Sequence, residues 1–273
     1  MSSKINVLVT KEEQLNAVST MSYVDRIFAG THLVLNSEDI LKRSGKKIYL
    51  ALPYVLRKEY VPLVEKLVKN DIFSGILVRN PEEFFLINDV LSGDGSKELI
   101  LDTHLYIVNS EALEFYLENT ALKTGGFYHS FESSKKEMSI VDDAIIKKGI
   151  SGVSPSLVIY GRIPMMISSN CVKKTTGRCD KQFSFDVIKD RYNTDFPVLC
   201  DCDVCTNITY NSVPLSLHED ISKLKDKYEV RLDFTDESYE DVKSITEYFA
   251  TYHGADKPPY EKFTTGHYRR GIE

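Results

Sequence analysis

The first 120 residues alternate between short apolar runs and segments whose apolar residues recur at helical spacing. The apolar runs predict strands at 5–10, 26–29, 47–52, 75–78, 99–101 and 105–108. The segments between them predict helices at 11–21, 54–69, 81–91 and 110–119, the last with Ser110 as its N-cap. Buried strands that alternate with helices are typical of a parallel sheet covered by helices.

This pattern predicts an α/β fold of the TIM-barrel-like (β/α) type, complete or partial. A dinucleotide-binding sheet is disfavoured because no G-x-G-x-x-G motif follows the first strand. Barrel enzymes place their chemistry at the carboxyl ends of the strands. Polar residues that follow predicted strands are Asp102, His104, Asn109, His129, Glu132 and Arg162. From these we take Asp102, His129, Glu132 and Arg162 as candidate catalytic residues, although each type is also common in ordinary loops and caps.

The second half of the chain changes character. It predicts strands at 127–131, 157–160, 162–168 and 230–234, a hairpin arm at 184–192, and helices at 216–227 and 238–250. We expect residues 1–217 to form the barrel-like domain, which contains a cysteine-rich segment at 171–205. Residues 218–273 are expected to form a short α+β extension packed on it.

Composition narrows the class of protein. Hydrophobic residues make up 42% of the 273 and charged residues 27%, which is ordinary for a folded globular chain. A net charge of −6 argues against a surface that attracts nucleic acid everywhere, although Lys173, Lys174, Arg178 and Lys181 form a local basic segment. No apolar run approaches the ~20 residues that cross a bilayer, and the N-terminus lacks the core of a signal peptide. These features predict a cytoplasmic protein without a membrane partner.

All five cysteines lie in one segment, at Cys171, Cys179, Cys200, Cys202 and Cys205. An odd, clustered number of thiols in a chain without an export signal is poorly explained by disulfides. Cys202-x-x-Cys205 can hold one metal ion between two thiolates, with Cys171 and Cys179 as further ligands and Cys200 as a spare. A redox dithiol is the weaker alternative because the motif does not follow a first strand. Spacing alone leaves zinc and an iron–sulfur cluster equally open.

Several motifs around this segment resemble the U-32 peptidase family, also called collagenase-like. They are Tyr160-Gly161-Arg162-Ile163-Pro164-Met165-Met166 before the first cysteine, Lys189-Asp190-Arg191-Tyr192, Phe196-Pro197-Val198, Cys202-x-x-Cys205-x-Asn207, Tyr210-Asn211-Ser212-Val213-Pro214-Leu215 and Thr265-Gly266-His267-Tyr268-Arg269-Arg270-Gly271. Leu101-Asp102 and Asn109-Ser110-Glu111-Ala112 are similar to an earlier strand and helix start. The resemblance covers most of residues 99–273. Because it corresponds to a downstream portion of long members, the rest of a longer protein or a partner subunit is an expected partner.

The resemblance implies a barrel-like fold with a four-iron four-sulfur cluster on Cys171, Cys179, Cys202 and Cys205. Zinc remains the alternative metal. Although the family is named for peptidases, better-understood relatives hydroxylate RNA bases or quinone precursors without oxygen. The resemblance therefore allows either a hydrolase that acts as a protease or an enzyme of RNA modification.

The residues themselves favour hydroxylation over proteolysis. Neither H-E-x-x-H nor G-x-S-x-G occurs, so a peptidase rests on the family's name alone. A cluster beside a basic loop fits RNA or a small aromatic or anionic substrate. Candidate contacts to phosphate or carboxylate are Arg162, Arg191, His267, Arg269 and Arg270, and candidate stacking residues are Tyr160, Tyr192, Tyr210 and Tyr268. A non-catalytic accessory domain with a structural metal site is the third alternative.

Overall fold

The computed structural model describes residues 4–252 and 257–271. Its strands are β1 (Ile5–Val9), β2 (Val24–Gly30), β3 (Lys47–Ala51), β4 (Phe73–Val78), β5 (Glu98–Leu101), β6 (Lys123–Tyr128), β7 (Ser154–Gly161), β8 (Pro164–Ser168), β9 (Ser184–Lys189), β10 (Asp195–Asp201), β11 (Thr206–Tyr210), β12 (Leu215–Ser216) and β13 (Glu229–Asp233). Its helices are α1 (Glu12–Ser19), α2 (Thr31–Asn36), α3 (Glu38–Arg43), α4 (Val61–Val68), α5 (Pro81–Val90), α6 (Ser110–Glu118), α7 (Lys135–Lys147), α8 (Val172–Thr175), α9 (Ile221–Lys227) and α10 (Tyr239–Thr251). Short 3₁₀ helices lie at Lys58–Tyr60, Thr103–Leu105 and His218–Asp220.

Eight parallel strands close into a barrel. Strands β1 to β6 are neighbours in chain order, β6 pairs with β7, and β13 lies between β7 and β1. The helices lie between successive strands in the chain, as right-handed βαβ connections require. The predicted TIM-barrel-like fold is thus confirmed, and the barrel is complete. The segment expected as a C-terminal extension supplies its eighth strand and two of its helices.

The barrel strands are buried on both faces, which explains why they read as continuous apolar runs. The interior is filled by a cluster of side chains from successive strands: Phe28, Tyr49, Ala51, Leu77, Ile100, Tyr128 and Val158. The opposite faces of the strands pack against the helices in a second and larger core. The barrel interior is therefore packed solid, and space for a ligand remains only at its ends.

A four-stranded antiparallel sheet is inserted between β7 and β13, with strand order β8-β11-β10-β9. It has a small core of its own, formed by Leu199, Ile208 and Tyr210. Tyr54, which follows barrel strand β3, packs against that core. Because β7 ends at the carboxyl end of the barrel, the inserted sheet lies over the end at which barrel enzymes carry their chemistry.

Two predictions from the sequence are corrected. The predicted strand at 105–108 is wrong: Asp102 accepts a hydrogen bond from the Thr103 N–H at 2.9 Å, and a 3₁₀ turn follows. Tyr106 then takes a left-handed conformation, with φ of 49°, so the chain leaves the sheet. The predicted helix at 54–69 is shorter, because α4 begins only at Val61 with Pro62 in its first turn.

In the part of the chain that the structure describes, no helix combines the length and the apolarity that crossing a membrane would take.

Candidate functional site at the barrel mouth

Four buried charges meet at the carboxyl end of the barrel. Asp102, at the end of β5, accepts hydrogen bonds from Arg79 Nε at 3.0 Å and from Arg231 Nη2 at 2.9 Å. Asp233 accepts from Arg231 Nε at 2.6 Å and from its Nη2 at 2.9 Å. Two arginines and two aspartates therefore balance their charges inside the protein.

The environment shifts these carboxyl groups in opposite directions. Burial alone would raise the pKa of Asp102, but Arg231 and Arg79 together hold it well below its usual range. Burial raises the pKa of Asp233 even though Arg231 opposes the shift. Asp102, held by two guanidinium groups, is thus the fixed anion of the site.

Aromatic rings cover the arginines. The Arg79 guanidinium lies 4.1 Å from the ring centre of Tyr54, and that of Arg231 lies 4.0 Å from the ring centre of Tyr128. Arg231 Nη1 is buried without a hydrogen-bond partner among the described residues. His104 packs edge-on against Tyr54, and burial lowers its pKa to about 4, so its imidazole is neutral at pH 7.

The other candidate catalytic residues do not join Asp102. Arg162 donates from Nε to Asp236 at 2.8 Å and from Nη1 to the carbonyl groups of Asn211 and Ser212, so it ties loops together. His129 is buried behind β6, where its Nε2 lies 2.9 Å from Asp142 Oδ1. Glu132 is exposed at the mouth, and Tyr106 donates to it at 3.3 Å.

The candidate substrate-binding residues also separate. Tyr160 lies in the core and donates to Glu237 at 3.0 Å, so its ring is not available for stacking on a substrate. Arg191 is exposed at the turn between β9 and β10, beside Tyr192. His267 lines a pocket at the mouth, whereas Arg269 pairs with Glu219 on the surface beside it.

The Cys171 thiol lies at the start of α8, among hydrogen-bond donors. Burial would raise its pKa, but the backbone N–H groups of Lys174 and Lys173 and the side chain of Asn207 lower it below its ordinary value. The Oδ1 atom of Asn207 accepts from the Val172 N–H at 2.7 Å, which fixes the amide beside the thiol. Donors placed in this way favour a thiolate over a thiol.

Two further thiols, Cys200 and Cys202, interact with this one. Cys200 and Cys202 are two residues apart near the end of β10, and Cys200 pairs across the ladder with Asn207. Burial raises the pKa of Cys200 to about 11, and Cys171 and Cys202 add to the shift. Burial also raises the pKa of Cys202, with Cys179 and Cys171 contributing. The structure therefore brings Cys200, the predicted spare, close to the predicted ligands.

Cys205 and Lys173 also lie in this region. The Cys205 carbonyl accepts from Arg57 Nη2 at 2.8 Å, and its thiol lies close enough to Tyr60 to contribute, after burial, to raising the pKa of that phenol. The buried Lys173 donates from Nζ to Asp180 at 2.7 Å and interacts electrostatically with Cys200 and Cys202. Cys205 thus faces the barrel, and an ammonium group lies among the other thiols.

Within residues 4–252 and 257–271, no three Cys, His, Asp or Glu side chains are arranged to hold a metal ion directly. The chemistry of the donor set nevertheless suits a soft metal or an iron–sulfur cluster, since thiolates are the ligands that both prefer. The N–H donors around Cys171 are the kind of outer contact that stabilises a metal-bound sulfur. The donor types of the five-cysteine segment are those of the predicted group, but no three of them surround a common point in the described residues, so the metal site stays a prediction.

A small cavity of about 60 Å³ lies between the barrel mouth and the β10–β11 hairpin, which carries Cys200, Cys202 and Cys205. Arg79 and Tyr54 line it from the barrel, and Asp201, Val204 and Thr206 line it from the turn that carries Cys202 and Cys205. His32 closes one side, stacked on Phe183 with ring centres 3.9 Å apart and paired with Asp203 at 2.7 Å. The inserted sheet is thereby fixed against the mouth by contacts on several loops.

A larger pocket of about 500 Å³ opens beside it, and we call it the ring pocket. Its lining is Thr103, His104, Tyr106, Ser130, Phe131, Glu132, Ile163, Pro164, Met165, Asn211, Thr264, Gly266 and His267. No lysine or arginine occurs in that lining. The mixture of rings, hydroxyl groups and one carboxylate suits an uncharged flat group that donates hydrogen bonds.

The sequence reasoning missed Arg79 and Arg231. Arg79 directly follows the apolar run of β4, and the rule that selected Asp102 after β5 would have found it. Arg231 interrupts the apolar run of β13, and a charged residue at a position that points into a barrel is itself a signal. Which carboxylate each arginine contacts depends on strand register, which a single sequence does not reveal.

Comparisons with models of protein families, with curated proteins and with solved structures gave no significant match.

Proposed function

We propose that this protein is an enzyme of the U-32 type that hydroxylates RNA, or a related aromatic or anionic substrate, without oxygen. The observation that carries the proposal is the position of Cys171, at the start of α8 beside the N–H groups of Lys173 and Lys174 and the Asn207 amide, in a segment of five cysteines on a sheet over the barrel mouth. A solvated structural loop would not need these donors. A metal-bound thiolate would.

Four thiolates would hold the cluster, and the predicted set is Cys171, Cys179, Cys202 and Cys205. When bound, an iron–sulfur cluster supplies one-electron redox chemistry at this edge of the mouth. Hydroxylation exchanges a hydrogen of the substrate for a hydroxyl group. Without oxygen, that hydroxyl group must come from a co-substrate, which takes up the hydrogen in return.

The residues of the mouth have separate tasks in this proposal. Asp102 holds the guanidinium groups of Arg79 and Arg231, and so fixes Arg79 in the lining of the cavity that borders the turn with Cys202 and Cys205. The neutral His104 borders the ring pocket, where it can donate or accept one hydrogen bond at pH 7. The inserted sheet covers the mouth and restricts the access of water.

Proteolysis has weaker support. A peptidase needs an exposed nucleophile beside a base. Ser216 Oγ lies 2.7 Å from His218 Nδ1, but both residues are buried, and the hydroxyl group also contacts Tyr260 at 2.6 Å. This pair therefore stabilises the core and does not present a nucleophile to a peptide.

The test is metal analysis of protein purified without oxygen. We expect about four irons and four sulfides per chain, with the visible absorption of a cluster, and loss of both in Cys171→Ala. Cys200→Ala is the matched control and is expected to keep its iron. If Cys200→Ala lost its iron and Cys205→Ala kept it, Cys200 would replace Cys205 as the fourth ligand. The proposed cluster would remain.

The other outcomes separate the alternatives. Stoichiometric zinc would mean a structural site and would favour the accessory-domain function, above all if the cysteine variants fail to fold. A folded wild-type protein that binds neither metal would overturn the proposal. It would also leave the peptidase function as the remaining alternative to test.

A further inference from the structure

A basic groove of about 560 Å³ lies beside the ring pocket. Its cations are Lys135 and Lys136 at the start of α7 and Arg269 and Arg270 near the C-terminus, all exposed. In a chain with a net charge of −6, four cations in one concave groove concentrate a local positive potential.

The groove and the ring pocket are built from the same two chain segments. Residues 130–132 line the ring pocket, and the same segment continues into the groove at Ser134, Lys135 and Lys136. Gly266 and His267 line the ring pocket, and the next residues, 268–270, line the groove. The Lys135 N–H donates to the Tyr268 carbonyl at 2.8 Å and joins the two segments. Groove and pocket are therefore adjacent parts of one surface.

The cations are not equally available. Lys135 lies 3.7 Å from Asp220, and Arg269 pairs with Glu219. In the ranges described, Lys136 and Arg270 form no ion pair with a carboxylate. These two side chains are free to take an anionic ligand without first losing a partner in the protein.

We infer that this surface binds single-stranded nucleic acid, with phosphates on the basic groove and one base in the ring pocket. The inference rests on the proposed function for the identity of the substrate as RNA. Lysine and arginine neutralise backbone phosphates, whereas a pocket without cations that offers rings, hydroxyl groups and one carboxylate accepts the flat, hydrogen-bonding face of a base. A base within a duplex is stacked and paired and cannot enter such a pocket.

An acidic peptide is the rival ligand for the groove. It would satisfy the cations, but it would offer no flat group to the ring pocket beside them. Tyr106, 47% exposed at the rim of that pocket, presents a ring on which a base can stack. The adjacency of the two sites therefore favours a polyanion that carries rings.

The experiment measures the anisotropy of a fluorescein-labelled 12-nucleotide RNA of mixed sequence, titrated with the full chain over a range of salt concentrations. The double variant Lys136→Ala/Arg270→Ala should lower the slope of log K against log salt by about 1.4, since each phosphate contact on a single strand adds about 0.7. At 0.1 M salt this slope change corresponds to an affinity loss of roughly 10- to 30-fold. Circular dichroism confirms that each variant is folded.

Two matched variants sharpen the result. Lys66→Ala/Lys69→Ala removes the same charge from the last turn and C-cap of α4, which follows β3 and lies on another side of the barrel. This variant should leave both affinity and slope unchanged. Tyr106→Asn removes the ring at a left-handed position that asparagine tolerates. It should weaken binding roughly tenfold while the salt slope stays the same.

Three results would each overturn the inference: no binding by the wild type, equal losses in the groove and α4 variants, or equal competition by polyglutamate or duplex RNA of the same charge. Binding is measured with and without bound iron, so the two proposals fail separately. RNA binding by a protein that never takes up iron would refute the cluster chemistry and leave this surface intact.

Discussion

The barrel and the inserted sheet are stabilised in different ways. The barrel closes on itself, and its strands are buried between an interior cluster and a shell of helices. The sheet has three buried residues in its core, and the partly buried side chains that cover them include Tyr54 of the barrel. The barrel is therefore stabilised mainly by apolar burial around its internal charge pairs, whereas the region with the thiols depends on contacts with the barrel and, in our proposal, on metal.

The largest expected effect comes from breaking the charge balance inside the barrel. Asp102→Asn leaves Arg79 and Arg231 with one anion between them, and uncompensated buried charge costs about 3–5 kcal/mol. Chemical denaturation should show this loss in the free energy of unfolding. The control Asp71→Asn, at an exposed turn, should change it by less than about 0.5 kcal/mol. A small effect of Asp102→Asn would mean that the stability of the barrel does not depend on the ion pairs of Asp102 with Arg79 and Arg231.

Matched truncations compare the two cores directly. Ile76→Ala in β4 should cost about 3–4 kcal/mol, because the surrounding strands and helices cannot collapse into the cavity. Ile208→Ala in β11 should cost about 2 kcal/mol, since a small sheet with an open face can relax. Guanidinium unfolding of both variants, with and without bound metal, provides the measurement. Equal losses would contradict the distinction between a closed scaffold and a dependent sheet.

A smaller effect is the pH dependence of the free energy of unfolding, to which a buried carboxyl group of the barrel contributes. Burial raises the pKa of Glu83 from 4.5 to about 8, and its Oε1 has no partner among the described residues. The folded state therefore holds a proton that the unfolded state has released, so this contribution to stability is complete below about pH 4.5 and is lost as the pH rises towards 8. Glu83→Gln should remove a fall of roughly 3 kcal/mol between pH 5 and pH 8.

Denaturation of wild type and variant at several pH values tests this expectation. Glu82→Gln, the exposed neighbour in the same helical turn, is the control and should follow the wild-type curve. Parallel curves for wild type and Glu83→Gln would show that Glu83 is ionised in the folded protein.

Much of the scaffold could be read from the chain. Strands at 47–52, 75–78 and 99–101 were predictable because a strand buried on both faces must be apolar throughout. The segment at 105–108 is also apolar, yet it is not a strand, because the cap formed by Asp102 turns the chain first. Closure of the barrel needed the register of β13 between β7 and β1, and no local pattern contains that information.

The candidate site was predictable only in part. Residues that follow barrel strands are expected to face the mouth, and Asp102 does so. The same rule selected His129, which instead lies behind β6 against Asp142. Tyr160 has the same chemistry as a stacking residue at the mouth, but it belongs to the core. A side chain's surroundings depend on which face of the strand it occupies, and neighbours distant in sequence decide that.

The sequence by itself determined the fold class and the segment of the chain in which the thiols lie, because apolar periodicity and clustered cysteines are local properties. The tertiary structure alone decided which charges balance inside the barrel, which thiols meet around Lys173, and how the groove of Lys136 and Arg270 adjoins the ring pocket. These depend on contacts between residues far apart in the chain, such as Asp102 with Arg231, and only the closed barrel brings such residues together.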